Sequence, residues 1–304
     1  MSYAFVFPGQ GSQSLGMLSD LHDQEQVIAD TFVEASACLG YDLWQIIKNG
    51  PEQELNKTEI TQPAILAASI ACFRLWQQKG LPMPIAMSGH SLGEYSALVC
   101  ANSISFKDAL LLVRDRGRFM QAAVAEGEGA MAAILGLDDE TVVSICNQAS
   151  DIELVSAANF NSPGQVVIAG ATNAVDRAVN LAKEQGAKRA LILPVSVPSH
   201  CSLMKPAADQ LAERLGQIDI SIPAVPVIHN VDGQTRATPE AIQQALIDQL
   251  FKSVRWVECV KTIATYSPEM VIECGPGKVL AGLIKRIDRS VKTKNLLVAN
   301  DFIE

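Results

Sequence analysis

The tightest constraint on this chain is the stretch Ile85-Ala86-Met87-Ser88-Gly89-His90-Ser91-Leu92-Gly93-Glu94-Tyr95. An apolar run reaches a glycine, a serine and a second glycine, and helical spacing follows at Leu92, Tyr95 and Val99. This is the G-x-S-x-G pattern in the setting it needs, a strand, a sharp turn and a helix. A Cβ at either glycine would crowd the neighbouring strand or helix, so the turn tolerates only glycine on its flanks. Ser91 then projects its Oγ from the sheet edge, at a helix N-terminus whose free N–H groups favour developing negative charge. A turn that merely contains a serine is the plain alternative. With both flanks in place, the pattern reads as a nucleophile.

One clear strand precedes this turn. Tyr3–Phe7 is a short run of buried type, followed at once by Pro8-Gly9-Gln10-Gly11-Ser12-Gln13. Such a glycine-rich turn offers backbone N–H groups to an anion. The lysine of a phosphate loop is missing, so an oxyanion-hole donor facing Ser91 is the sharper reading, with a tight packing loop as its alternative. From Asp20 to Gly80 the pattern is helical, with breaks expected at Gly40, Gly50-Pro51 and Gln62-Pro63; the last would start a helix over 64–78. An α/β-hydrolase places its serine turn after several strands, so the sheet here must be ordered differently.

After the turn helix, 106–124 is helical and carries Arg114, Asp115, Arg116 and Arg118. An arginine facing a pocket would be a bidentate clamp for a carboxylate, although most on such a helix are solvated. Strands are expected at 130–135, 154–159, 165–169 and 189–195, with helices at 138–149 and 175–185. That β-α-β-β-α-β order is the ferredoxin-like split unit, a small domain inserted into a larger one. Further on, helices are expected at 203–215 and 239–251 and strands at 224–231, 270–274 and 295–298. Gly275-Pro276-Gly277-Lys278 opens a last helix whose Leu280, Leu283, Ile284 and Ile287 share one face.

A chain of 304 residues that is 48% hydrophobic and 19% charged reads as a globular protein with ample core. The most apolar helix, 64–76, is interrupted by Ser69 and Arg74, so no membrane span is expected. The N-terminus lacks a basic n-region, so no signal peptide is expected. Seven cysteines without a C-x-x-C pair suit reduced thiols in a cytoplasm and no zinc site, and four scattered histidines show no metal spacing. A net charge of −9 argues against a nucleic-acid binder. An acidic partner would need a local basic patch.

A serine nucleophile needs a base. His200 is the best candidate, because Pro198-Ser199-His200 lies at a junction where clefts form. His90 is poorly placed, since adjacent residues of a sharp turn point apart. His22 sits in a polar helix, and His229 in an apolar strand suits a satisfied core histidine. No acid between Ser91 and His200 has a distinctive setting. Asp232, before Gly233, is compared as the acid of a patatin-like Ser–Asp dyad; its plain alternative is a turn aspartate.

The motifs Phe7-Pro8-Gly9-Gln10-Gly11-Ser12-Gln13, Gly89-His90-Ser91-Leu92-Gly93-Glu94, Arg116-Gly117, Asn159-Phe160-Asn161-Ser162-Pro163-Gly164-Gln165, Pro198-Ser199-His200 and Gly275-Pro276-Gly277-Lys278 stand in the order of a known family. Together they resemble the malonyl-CoA:acyl carrier protein transacylase family of bacterial type II fatty-acid synthesis, over nearly the whole chain. The resemblance implies an α/β fold: a hydrolase-like large domain, 1–126 and 197–304, with a parallel-type sheet and nucleophile elbow, and an inserted ferredoxin-like (βαββαβ) domain, 127–196. It implies Ser91 as nucleophile and His200 as base, the latter oriented by the main-chain carbonyl of Gln249. The backbone N–H groups of Gln10 and Leu92 would form the oxyanion hole, and Arg116 would pair with the malonyl carboxylate.

The activity so implied is ping-pong transfer of a malonyl group from malonyl-CoA to the phosphopantetheine thiol of acyl carrier protein, with no cofactor and no metal. A serine hydrolase and a non-catalytic acyl-binding subunit are the rivals. The chain is expected to be a cytoplasmic monomer that binds malonyl-CoA and acyl carrier protein, without nucleic acid or membrane. For carrier docking the densest basic run is Lys285-Arg286, Arg289, Lys292 and Lys294, expected on the polar side of the last helix, with Lys188-Arg189 second.

Overall fold

The computed structural model describes residues 1–195 and 197–303; positions 196 and 304, each the last residue of a domain expected above, lie outside them. In chain order the elements are β1 (Tyr3–Phe7), α1 (Ser19–Gln24), α2 (Gln26–Leu39), α3 (Leu43–Asn49), α4 (Glu52–Leu55), α5 (Thr58–Gln78), β2 (Ala86–Gly89), α6 (Gly93–Cys100) and α7 (Phe106–Ala123). Then come β3 (Gly129–Leu135), α8 (Asp139–Ala149), β4 (Val155–Ser162), β5 (Gln165–Ala171), α9 (Thr172–Glu184) and β6 (Arg189–Ile192). The chain continues through α10 (Lys205–Leu215), β7 (Val227–Ile228), α11 (Pro239–Phe251), α12 (Trp256–Thr265), β8 (Met270–Glu273), α13 (Val279–Ile287) and β9 (Thr293–Asn295).

The protein is α/β, built on two separate sheets. One has five parallel strands in the order β7-β2-β1-β8-β9. Its central strand explains why 3–7 is apolar throughout rather than alternating. Tyr3, Phe5 and Phe7 point into a core with Phe73 and Trp76 of α5. Ala4 and Val6 point the other way, into a core with Trp256 and Val260 of α12 and Leu280 and Leu283 of α13. Both faces are covered, as parallel sheets require. The register pairs Phe7 with Gly89, so the loop after β1 and the serine turn after β2 leave the sheet side by side.

The second sheet is antiparallel, in the order β4-β5-β3-β6. Alternation along its strands decides what each face meets. Ala132, Ile134, Val166 and Ile168 pack under α8 and α9. Met131, Val167 and Ala169 face the opposite way, towards Cys201 and Leu203 next to the first sheet. Backbone bonds from Phe160 N to Val254 O, 2.9 Å, and from Val254 N to Ala158 O, 2.8 Å, tie β4 to the loop between α11 and α12.

Several expected boundaries are corrected. No break occurs at Gln62-Pro63: α5 starts at Thr58, and Pro63 lies within it. In the second turn its ring removes only one intrahelical bond, and its fixed φ suits a helix. The strand expected over 224–231 shrinks to Val227–Ile228. Pro226 offers no N–H there, and after Ile228 the chain turns back, with Gly233 N donating to His229 O at 2.9 Å. The last strand, expected at 295–298, is Thr293–Asn295. The whole of α12 was missing from the sequence reading, although Trp256, Cys259, Val260 and Ile263 carry a helical pattern and are buried. No described helix is long and apolar enough to cross a membrane.

Candidate active site

The two glycines around the serine are explained by close approach. A Cβ on Gly89 would stand 1.9 Å from Gly93 C, and one on Gly93 would stand 2.0 Å from Phe7 O. Between them Ser91 takes φ 51°, a left-handed conformation that is unfavourable for a residue with a side chain. Asn230 holds that turn from both sides. Its Oδ1 accepts from Ser91 N at 2.7 Å and its Nδ2 donates to Gly89 O at 2.7 Å. The backbone N–H groups of Gln10 and Leu92, by contrast, meet no acceptor among the described residues, and both residues line the cleft above the serine.

His200 is brought to the serine from 109 residues away: its Nε2 lies 2.8 Å from Ser91 Oγ. Its Nδ1 lies 2.7 Å from the main-chain carbonyl of Gln249. A carbonyl can only accept, so the ring carries its proton on Nδ1 and turns a lone pair on Nε2 towards the hydroxyl. His200 is also in the left-handed region, at φ 63°, held by its own N–H on Leu250 O at 3.1 Å. Burial, followed by the charge of Arg116, pushes its pKa down to about 3, against a smaller opposing pull from the Gln249 carbonyl. The ring is therefore neutral, as a base must be before it acts.

Of the three arginines on α7, only Arg116 faces the cleft. Arg114 pairs with Asp115, and Arg118 with Glu59 at 2.6 Å. Arg116 is buried, with Nη1 on Gln62 Oε1 at 2.9 Å and Nη2 on Gln249 Oε1 at 3.2 Å. Nη2 also reaches Ser91 Oγ at 3.4 Å, and the guanidinium lies over the Tyr95 ring at 5.5 Å. Its partners are all neutral. Among the described residues no carboxylate comes within 4.0 Å of it. A buried guanidinium whose direct contacts are all neutral can still pair with a carboxylate that enters the cleft.

The cleft above these residues has a volume of about 250 Å³. Ser91, His200, Arg116 and the Gln10 loop form its floor. Met131 and Val167 of the antiparallel sheet, with Leu193 just past β6, form one wall, and Leu280 and Leu283 of α13 the other. Asn159, Asn161 and Gln165 supply polar groups along it.

The remaining sequence candidates do not meet the serine hydroxyl. His90 lines the same cleft, but its Nε2 bonds Asn161 Oδ1 at 2.8 Å and its ring packs edge-on against Trp256, and no bond joins it to the hydroxyl among the described residues. Its pKa is pushed down by burial. His22 stacks on Trp44 with ring centroids 3.9 Å apart. His229 is buried just after β7 and reaches Glu94 at 2.7 Å. Asp232 is an exposed turn residue paired with Arg236 at 2.6 Å, so the dyad considered for it has no geometric basis. Three buried residues escaped the sequence reading as site residues: Gln62, Glu94 and Asn230. Gln62 had a signal, an amide inside an apolar helix. Asn230 had none. Among the described residues no group of three or more His, Cys, Asp or Glu is placed to hold a metal ion.

Comparison with known proteins fits this arrangement. The family described as acyl transferase domain matches residues 4–299. The malonyl CoA-acyl carrier protein transacylase of Escherichia coli strain K12 is 57% identical over 285 residues, 94% of this chain and 92% of that protein. The solved malonyl CoA-acyl carrier protein transacylase of Coxiella burnetii superposes with a TM-score of 0.98 at 51% identity, covering 99% of this chain and 96% of that one. A malonyl-transacylase solved in complex with its type II PKS acyl-carrier protein gives 0.98 at 53%, covering 99% and 98%. A family match across almost every residue, joined to a serine, a histidine and an anion-seeking arginine meeting in one cleft, means that this chain belongs to the acyl transferase domain family.

Proposed function

We propose that this protein moves a malonyl group from malonyl-CoA to the phosphopantetheine thiol of acyl carrier protein, through a malonyl-serine intermediate, for fatty-acid elongation. The observation that carries the reading is Arg116. A cation in direct contact with neutral groups only, 3.4 Å from a serine Oγ, suits an acyl group whose carboxylate is one methylene from the reacting carbonyl. Malonyl has that spacing.

In this mechanism His200 Nε2 takes the Ser91 proton as Oγ attacks the thioester carbonyl. The N–H groups of Gln10 and Leu92 receive the oxyanion, and Ser91 N, already bonded to Asn230, takes no part. The C–S bond breaks and the proton passes from His200 to the CoA sulfur. The carrier thiol then gives its proton to His200 and attacks the malonyl ester, and Ser91 recovers the proton as its C–O bond breaks. No step calls for a cofactor. All the groups come from one chain, which suits a monomer, and seven free thiols suit a cytoplasmic protein.

The strand-turn-helix around Ser91 is read as a nucleophile elbow on a hydrolase-like sheet of residues 1–126 and 197–304. The four-stranded sheet with α8 and α9 is read as an inserted ferredoxin-like domain. Its support is the chain order β-α-β-β-α-β and a hydrophobic core of its own.

Intact mass tests the function directly. Malonyl-CoA should leave one malonyl group on the protein, and acyl carrier protein should remove it faster than water does. Faster hydrolysis would mean a hydrolase, and no adduct would mean an acyl-binding protein.

Arg116→Ala should change selectivity. A charge-assisted bidentate pair is worth about 1.5–3 kcal/mol, so malonyl kcat/KM should fall by about one to two decades. Acetyl transfer, with no carboxylate to hold, should stay level or rise. Equal losses with both acyl-CoA substrates would assign Arg116 a structural role.

The carrier is read as docking on the basic surface by α13. Lys285 and Arg286 are exposed in its last turn, and Arg286 reaches over to Gln165 of the other sheet at 2.6 Å. Arg289 lies just beyond the end of α13, not on its polar face as expected, and Lys294 is in β9. Reversing Lys285 and Arg286 to glutamate should raise the KM for carrier several-fold and weaken its salt dependence, with acylation by malonyl-CoA much less affected. Unchanged carrier kinetics would move the docking surface elsewhere.

A further inference from the structure

Behind the serine turn lies a buried carboxylate that the mechanism above does not use. Glu94, in the first turn of α6, is 0% exposed. Its Oε1 accepts from His229 Nδ1 at 2.7 Å, and its Oε2 from Asn230 N and Gln249 Nε2, each at 2.9 Å. Three donors and no acceptor describe an ionised carboxylate. His229 Nε2 finds no partner among the described residues, which suits a ring with its single proton on Nδ1 and no charge of its own.

The Gln249 amide is the link between this anion and Arg116. Its Nε2 donates to Glu94 while its Oε1 accepts from Arg116 Nη2 at 3.2 Å. An amide with its N–H on an anion and its carbonyl on a cation is polarised in the sense that stabilises both. Arg116 needs such help: burial works against its charge, and the field of Glu94 is among the influences that support it. A buried charge with no counter-charge is strongly destabilising.

We propose that Glu94 is the resident counter-charge of Arg116, coupled to it through the side-chain amide of Gln249, and that it limits how tightly the site holds a substrate carboxylate. This rests on the reading of Arg116 as the partner of that carboxylate. With the site empty, Glu94 balances the guanidinium. When a malonyl group enters, the two anions share one cation, and Glu94 weakens the hold on the second. The acyl group is then bound selectively without being trapped before transfer.

Thermal unfolding of four proteins tests the coupling: wild type, Glu94→Gln, Arg116→Gln and the double variant. Glu94→Gln should melt about 5–10 °C lower, as an uncompensated buried charge in a chain of this size would. The double variant, with neither charge, should regain most of that loss. Malonate should raise the melting temperature of Glu94→Gln by more than that of wild type, because it supplies the missing anion. The KM of Glu94→Gln for malonyl-CoA should fall several-fold relative to its KM for acetyl-CoA.

Additive losses in the double variant, or equal malonate shifts in wild type and Glu94→Gln, would overturn the proposal. If Glu94→Gln does not fold, a folded double variant supports it and an unfolded one refutes it. Charge coupling without any malonate shift in wild type would uphold the pairing and reject Arg116 as the partner of the substrate.

Discussion

Ser91→Ala eliminates the malonyl adduct and lowers transfer by about four decades or more, because nucleophile and base act as a unit. No neighbouring group can take over. The two serines nearest in sequence are buried on other sides of the turn, Ser88 donating to Ile228 O and Ser96 lying within α6. Ser12 and Ser199 line the cleft, but His200 Nε2 bonds only Ser91 Oγ among the described residues. His200 would face a methyl group and Arg116 would lose its 3.4 Å contact, while the floor of the cleft and the N–H groups of Gln10 and Leu92 remain. Substrate binding should therefore persist where chemistry stops. Malonyl-CoA binding by calorimetry and adduct formation by intact mass separate the two. A malonylated Ser91→Ala protein would show that another residue is the nucleophile.

His200→Ala should slow acylation by several decades with little change in malonyl-CoA binding, since only its Nε2 faces the reacting hydroxyl. The wild-type pH profile carries a second signature. With a pKa near 3, His200 stays in its basic form far below the ordinary histidine range. The acylation rate should be flat between about pH 5 and 8 and fall only as the pH approaches that value. Part of the depression comes from Arg116, so a carboxylate bound there raises the pKa and makes the ring a stronger base. The acidic limb should consequently lie at higher pH with malonyl-CoA than with acetyl-CoA. A limb at the ordinary histidine value for both would contradict this.

Stability follows the same group with a definite sign. The folded pKa lies below the unfolded value of 6.5, so protons bind the unfolded chain more readily. The contribution of His200 is present in full above pH 6.5 and is lost as the pH falls through 6.5 towards 3.

The serine turn was legible because it is local: two glycines, a strand and a helix are neighbours in sequence and impose their geometry on each other. The β-α-β-β-α-β order was legible for the same reason, from periodicity and turn residues. The partnership of His200 with Ser91 could be read only by comparing the settings of four histidines, which favoured the Pro198-Ser199-His200 loop, since a contact across 109 residues leaves no periodic trace. Gln249 and Arg116 came from the family resemblance. Asn230 and Glu94 depended on neither. Their positions come from the way β7 brings the chain back beside the serine turn, and an edge strand of two residues, entered directly from Pro226, hides that return.

The cleft is assembled from two stretches of chain with different duties. Every residue that handles charge or protons here lies on the parallel-sheet side, while the antiparallel sheet presents Met131 and Val167, with Leu193 just past β6, as an apolar wall. With Leu280 and Leu283 of α13 as the other wall, one side of the fit is thereby written apart from the reactivity. Changes at those three positions can reshape the space above Ser91 without touching the proposed nucleophile, base or oxyanion donors. A wider or narrower wall would then retune acyl-chain size on an unchanged reaction centre, so the antiparallel sheet between α7 and α10 is where a broader or stricter substrate range would evolve or be engineered.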